Sequence, residues 1–469
     1  MSRVILPFVL ATLFAVAFPA ISPNSLFAGW ALADDDGDGD GDSDDDSDDR
    51  GSASGASGGA GEGRRPRTGN KGGNLLDLLF GRGSQVPSET PTPQPLPTRA
   101  ADEVVSVNLS PEDLSTLTDR GYEVVRTSEV IAFGATLRRL RIPPGISPDA
   151  ALLEVRQLSS GQLSDFNHFY RANAAESKSC VGLHCPAFAL VDWSPPEPPF
   201  SGCGRKVVRL GLIDTGINPD HEAFINSRLS VLDFDPGGPG ISGAQHGTAV
   251  AALLIGSREG RVHGVLPDAE LVAVDAFYKM GRDERSDVFN IVLAMDQLAA
   301  ADVGVINMSL AGPDNLLLGQ MVARLSEDRI LIVAAAGNAG PRAAPAYPGA
   351  YGQVLTVTAV DGDGRIYRRA GRGAHVDVAA PGVDVWTAAS VRGVRTKTGT
   401  SFATPFATAA AAIVLSSDDE MAVTAVKSVL RRTARDLGKV GPDEIFGAGL
   451  VQFAPLCDAA EIGQPAQME

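Results

Sequence analysis

Between residues 206 and 361 the chain returns again and again to unbroken apolar runs: VVRLGLIDTG, AELVAVDAF, VGVINMSL, RILIVAAAGN and QVLTVTAV. A run without alternation is apolar on both faces, which is the pattern of a buried parallel strand. DVFNIVLAMDQLAAAD, between two of these runs, reads as a helix, and so do QHGTAVAALLIG and the alanine-rich TSFATPFATAAAAIV. Strands alternating with helices predict an α/β domain over 206–455, with a mostly parallel sheet between helices. Ligands of such sheets meet the carboxyl ends of the strands. Those ends carry Asp214, Ser309, Asn338 and the approach to Ser401.

Residues 102–171 carry a different rhythm. EVVSVNL, YEVVRTSEV, TLRRLRI and SDFNHFYRA read as extended segments. SPEDLSTLTDRG and SPDAALLEVRQL read as helices, each opened by a serine cap and a first-turn proline. The order β-α-β-β-α-β predicts a small ferredoxin-like α+β domain.

The rest of the chain is not patterned for a core. A net charge of −17 falls to −6 once the eleven aspartates of 34–49 are set aside. That balance, with no basic stripe, excludes nucleic acid as a partner. Residues 34–99 combine the aspartate run, a Gly/Ser/Arg stretch and a proline-rich end, and are expected to be a disordered linker. Asp34, Asp36, Asp38, Gly39 and Asp45 fit a calcium loop, but aspartate replaces the final glutamate and no flanking helices are evident. A solvated linker is the default there.

Residues 1–33 are uncharged after Arg3 and end in Ala31-Leu32-Ala33, which predicts a cleaved signal peptide and a secreted or periplasmic protein. The alternative is an uncleaved membrane anchor, disfavoured by Pro7, Pro19, Pro23 and Asn24 inside the run. In an exported chain Cys180, Cys185, Cys203 and Cys457 are expected to pair, with three connectivities open. The first three sit in or beside a connector over 172–205, and Cys457 lies in a C-terminal tail over 456–469.

The chemistry turns on Ser401, at the start of the alanine-rich helix. A serine there is either an N-cap or a nucleophile near backbone N–H groups able to hold an oxyanion. His246 opens another small-residue helix, and Asp214 ends a strand. A carboxylate that orients an imidazole, and an imidazole that takes a serine proton, are the parts acyl transfer needs. Asn338 can supply an oxyanion donor. An α/β-hydrolase needs a histidine after its serine in a G-x-S-x-G elbow, whereas all six histidines precede Ser401. No G-x-G-x-x-G follows a strand, so a dinucleotide site is not expected.

At these residues the chain resembles the subtilases, the subtilisin-like serine peptidases, over roughly Val207 to Phe453. The matching text is DTGINPDH, HGTAVA, AAGN and GTSFATP, with GVLPDAELVAVDAF, NMSLAGP, YPGAY and FGAGLVQF in support. The resemblance implies an Asp214-His246-Ser401 triad with Asn338 at the oxyanion. It implies that Ser309, Leu310, Ala311 and Gly312 pair with extended substrate and line the S1 pocket with Ala335, Ala336, Gly337 and Asn338. Ala311 stands where many relatives have glycine, and Ala346 matches the base of that pocket, so large apolar P1 residues are expected. The 102–171 domain looks like the family's propeptide, a folding aid and intramolecular inhibitor. Self-cleavage is then expected between about Phe169 and Cys180. No cofactor is expected to be required for catalysis; structural calcium stays open, and none of the family's calcium sites is assigned to residues of this sequence. Two alternatives stay open: a peptidase dedicated to one partner, and an inactive binding module on the same fold.

Overall fold

The computed structural model describes residues 95–172, 187–193, 208–418 and 421–457, together with the backbone of 175–177. The expected signal peptide, nearly all of the linker, most of the connector and nearly all of the tail lie outside the described residues. Within the linker's last residues, Thr98 already accepts a bond from the Phe169 amide, at 2.8 Å.

The N-terminal part runs β1 (Arg99–Val107), α1 (Pro111–Asp119), β2 (Glu123–Val130), β3 (Ala135–Arg141), α2 (Pro148–Arg156) and β4 (Ser164–Tyr170). The strand order is β2-β3-β1-β4, and these pairings are all antiparallel. The two serine caps form as the sequence predicts. Ser110 accepts from the Asp113 amide and Ser147 from the Ala150 amide. Gly121, in the left-handed region at φ 92°, ends the first helical segment.

The main domain continues with β5 (Ala175–Ser177), α3 (Ala187–Leu190), β6 (Leu210–Asp214), β7 (Arg228–Val231), β8 (Gly240–Ile241), α4 (Gln245–Ile255), β9 (Glu270–Asp275), β10 (Tyr278–Met280), β11 (Asp283–Asp287), α5 (Val288–Ala300) and β12 (Val305–Met308). Then follow α6 (Leu316–Glu327), β13 (Leu331–Ala335), β14 (Leu355–Val360), β15 (Val378–Pro381), β16 (Val385–Ala388), β17 (Val394–Thr398), α7 (Thr400–Leu415), α8 (Val423–Thr433) and α9 (Ala454–Cys457). The central sheet has the order β15-β14-β13-β12-β6-β9-β7, and all its pairings are parallel. Every residue of β6, β12, β13 and β14 is buried, as the unbroken apolar runs require. One apolar cluster joins the sheet to α4, α7 and α8, and a second joins it to α5 and α6. Helices therefore cover both faces, and the domain is an α/β layer fold with a parallel sheet between helices.

The two parts share a sheet. β4 pairs antiparallel with β11, so the order β2-β3-β1-β4 extends through β11-β10-β8. No apolar pattern announces β11, whose sequence is DERSD. Among the described residues no helix is long and apolar enough to cross a membrane. Cys457 is disulfide-bonded.

Candidate active site

Asp214 closes β6, where the strand's buried register carries its carboxylate below the surface; the residue is 1% exposed. One carboxylate oxygen accepts from its neighbour's amide, Thr215 N, at 2.8 Å. The same oxygen lies 2.6 Å from Nδ1 of His246. His246 is the second residue of α4, itself buried. A carboxylate on Nδ1 holds the proton there and leaves Nε2 as the basic nitrogen. The glycine of the HGT motif has a steric reason. A Cβ on Gly247 would overlap the Thr215 carbonyl, so only glycine lets α4 sit against the chain leaving β6. The Gly247 amide donates to Thr215 Oγ1 at 3.0 Å and tightens the same contact.

Ser401 is the second residue of α7, whose N-cap is Gly399 with no side-chain cap. Of the two readings open for this serine, the N-cap one is excluded by position. Its Oγ donates to the Ser309 carbonyl at 3.1 Å. Pro405, four residues on, has no N–H for the Ser401 carbonyl, and the Ser309 hydroxyl donates there instead, at 2.7 Å. The proline thus couples the serine to the strand end that faces it. His246 lies beside this helix start, its ring 5.4 Å from that of Phe402.

Asn338 lies just beyond β13. Its side-chain oxygen accepts from Thr400 N at 3.0 Å and from Thr400 Oγ1 at 2.9 Å. With the oxygen held by both groups, the planar amide directs its nitrogen away from Thr400.

The remaining candidates cluster as a lining. Ser309 to Gly312 follow β12; Gly312 pairs with Tyr347 in both directions, N to O at 2.9 and 3.0 Å. Leu310 is buried among the α5 and α6 residues. Ala335 ends β13, and Ala336 donates to the Val357 carbonyl at 2.9 Å. Gly337 has φ 90°, and a Cβ on it would stand 3.1 Å from Cβ of Ala346 and 4.0 Å from Cβ of Ala311. Gly337, Ala346 and Ala311 therefore meet at one place.

Several polar residues escape sequence reasoning. Asn307 donates to Ser309 Oγ at 3.0 Å and accepts from Thr408 Oγ1 at 2.9 Å, tying β12 to α7. Asp275, opposite Asp214 in the β6–β9 register, accepts from Ser242 Oγ at 2.6 Å and from the Phe277 amide at 3.1 Å. Burial pushes its carboxyl up to about 6. Asn315 caps α6 through its oxygen, while its amide donates to the Phe166 carbonyl and contacts His168 Nδ1 at 2.9 Å. Asp165 accepts from Leu316 N at the same helix start. The only available signal was the Asn-Leu junction of a cap.

The model of the Subtilase family matches residues 205–449. The minor extracellular protease Epr of Bacillus subtilis (strain 168) is 29% identical over 255 residues, 54% of this chain and 39% of that protein. The chain thus spans well under half the length of that relative. Subtilisin BL of Lederbergia lenta is 32% identical over 247 residues, 52% of this chain and 88% of that one. Among solved structures, fervidolysin from Fervidobacterium pennivorans, described as a keratinolytic enzyme related to subtilisin, superposes with a TM-score of 0.63 at 17% identity. That superposition covers 78% of this chain and 62% of fervidolysin, and speaks for the fold. On the match across the peptidase domain, the chain belongs to the subtilase family.

Proposed function

We propose that the chain is an exported serine endopeptidase, made as a precursor that its own active site processes. In this reading Ser401 Oγ attacks the scissile carbonyl while His246 Nε2 takes the serine proton. His246 then returns that proton to the departing amine, and a water molecule releases the acyl group by the reverse transfers. Asp214 fixes the imidazole tautomer and stabilises the imidazolium. The Asn338 amide donates to the oxyanion. Ser309 to Gly312 bind the substrate backbone, and Ala335, Ala336, Gly337 and Ala346 line the S1 pocket.

The observation that carries the reading is the 2.6 Å contact between buried Asp214 and His246, at the foot of the helix that presents Ser401. A disulfide at Cys457 fits an oxidising compartment. Residues 99–171 act as the propeptide and intramolecular inhibitor, a role supported by the way β4 runs into β11 and onward to Ala311.

The test is labelling by a serine-directed phosphonate, followed by peptide mapping. The reading requires label on Ser401 and loss of casein hydrolysis in proportion. Label elsewhere with activity retained would overturn it.

A further inference from the structure

The loop over 346–354 joins the proposed S1 lining to α8, a helix with no part in the mechanism above. At its start Ala346 meets Gly337 and Ala311. Next it presses on the end of β13, where a Cβ on Gly349 would stand 2.9 Å from the Ala335 carbonyl oxygen. At its end the Gly352 and Val354 carbonyls are taken up by one side chain of α8, Lys427.

The Lys427 ammonium donates to the Gly352 carbonyl at 2.8 Å and to the Val354 carbonyl at 2.6 Å. It also lies 3.0 Å from Asp377 Oδ2. An ammonium has three protons, and three oxygens surround this one. The two side chains are only 12% and 7% exposed. A surface lysine ordinarily lays its stem on the protein and keeps its charge in water. Lys427 instead spends the charge on two loop carbonyls and a buried carboxylate. Asp377 is itself fixed, since its Oδ2 accepts from Thr356 N at 2.9 Å. Arg431, one turn further along α8, brings Nη1 to 3.6 Å from Asp377 Oδ1.

The contact reaches the pocket through a short chain of bonds. Thr356, held by Asp377, donates its hydroxyl to the Gly349 carbonyl. Ala350 N, the next amide, donates to the Ala346 carbonyl at 2.8 Å. Lys427, Asp377, Thr356 and the Gly349–Ala350 turn therefore set where Ala346 stands.

We infer that Lys427 is a positioning residue for substrate specificity, its ammonium serving as the built-in cation that fixes the 346–354 loop and the floor of the S1 pocket. The inference rests on the S1 assignment proposed above. It carries a further commitment: the loop needs a monovalent positive charge among these oxygens, and the lysine stem only delivers it. Removing the stem should leave a place for potassium, which is close to ammonium in size and is bound by carbonyl oxygens.

The test uses the secreted full-length protein as wild type, Lys427→Ala and Lys427→Met. Two peptide substrates differ only in Phe or Ala at P1, and each is assayed in choline, sodium or potassium chloride at equal ionic strength. Titration with a serine-directed phosphonate counts working sites, so every rate refers to folded enzyme. In choline, Lys427→Ala should lose about 10-fold in kcat/KM on the Phe substrate, mainly through KM, and much less on the Ala substrate. Potassium should restore Lys427→Ala and leave Lys427→Met unchanged, because the methionine stem still fills the place. Should Lys427→Ala show no working sites in choline, potassium is expected to recover them. An unaltered P1 preference, or equal loss on both substrates, would overturn the positioning role. A loss in Lys427→Ala that potassium does not correct would overturn the cation role. Wild type inert on both substrates would overturn the peptidase reading instead.

Discussion

The central sheet and the 99–171 domain solve the same burial problem with unequal means. β6, β12, β13 and β14 are covered on both faces by helices of their own domain. The smaller domain has a core of nine buried residues, from Val104 to Val155, on one side of its sheet. The other side, with Val105, Val107, Val130, Leu137 and Tyr170, is buried against α5 and α6 of the peptidase. Small domains bury too little surface to be stable by much. The comparison teaches that this one is completed by its partner, and that separating the two would expose an apolar sheet face.

The two regions also differ in how polar groups are used. Inside the larger domain, Asn307, Ser309 and Asn338 brace the turn that carries Ser401. At the junction they act as clamps. Asp287 receives Arg139 Nη2 on both oxygens, at 3.0 and 2.9 Å, while capping α5. Asp296 on α5 accepts from the Ile131 and Ala132 amides, and Arg324 on α6 donates to the Ala132 carbonyl. Asp165 adds negative charge at the N-terminus of α6, where the helix dipole favours it.

The contrast can be broken on the peptidase side first, where the largest effect is expected. Asn338→Ala should lower turnover by about 10²–10³ with little change in KM, as loss of one oxyanion donor does in subtilisin. Initial rates on a peptide substrate check it, and unchanged turnover in a folded variant would assign the oxyanion elsewhere.

On the junction side, Arg139→Met removes one partner of a buried pair whose side chains are 10% and 1% exposed. Asp287 keeps its bonds to Asn290 N and Tyr278 Oη, so the loss of docking should sit at the low end of such cases, about 3 kcal/mol. Hydrogen exchange in a Ser401→Ala background should show 99–171 opening far more often, with the central sheet unchanged. Equal loosening of both regions would contradict the division.

How much of this was legible beforehand follows from where each signal lies. Strands buried on both faces write unbroken apolar runs, and serine caps write Ser-Pro, so both were readable. Asp214, His246, Asn338 and Ser401 stood out because each begins or ends such a run. Asn307, Asp275 and Asn315 did not. Their partners, Thr408, Ser242 and Phe166, are far away in the chain, and a buried polar residue carries no local mark of the bond that satisfies it. β11 escaped for a related reason. Its strand is made by buried polar side chains, Asp283, Arg285 and Asp287, two of which are met by Arg171 and Arg139 from far along the chain.

A subtler test uses acidity inside the peptidase. Asp275 titrates near 3.8 when unfolded and is pushed up to about 6 by burial. The folded chain therefore binds this proton more tightly than the unfolded one. The stability it contributes is full below pH 3.8 and lost as pH rises through about 6. Asp275→Asn should stabilise the protein by about 1–3 kcal/mol at pH 8 and by nothing at pH 3.5. Thermal melts at both values check the sign.

The smallest effect belongs to the junction. Burial holds His168 below its ordinary 6.5, and its Nδ1 accepts from Asn315, with Asp165, Arg99 and Asp314 as the charged groups around it. A group with a lowered value contributes docking stability above pH 6.5 and loses it as pH falls. Exchange of 99–171 in Ser401→Ala should rise gently on acidification, and His168→Asn should flatten that slope.

The claim that Asp214, His246 and Ser401 act as one unit is tested most directly by comparing single and combined variants. Casein hydrolysis would be measured for the wild type and for Ser401→Ala, His246→Ala and the double variant, each in the proposed mature form, produced with residues 99–171 supplied as a separate chain. Residues that perform one proton transfer cannot be lost twice. The account predicts that the double variant is no slower than Ser401→Ala alone. Losses that multiply, with each single variant retaining substantial turnover, would contradict it.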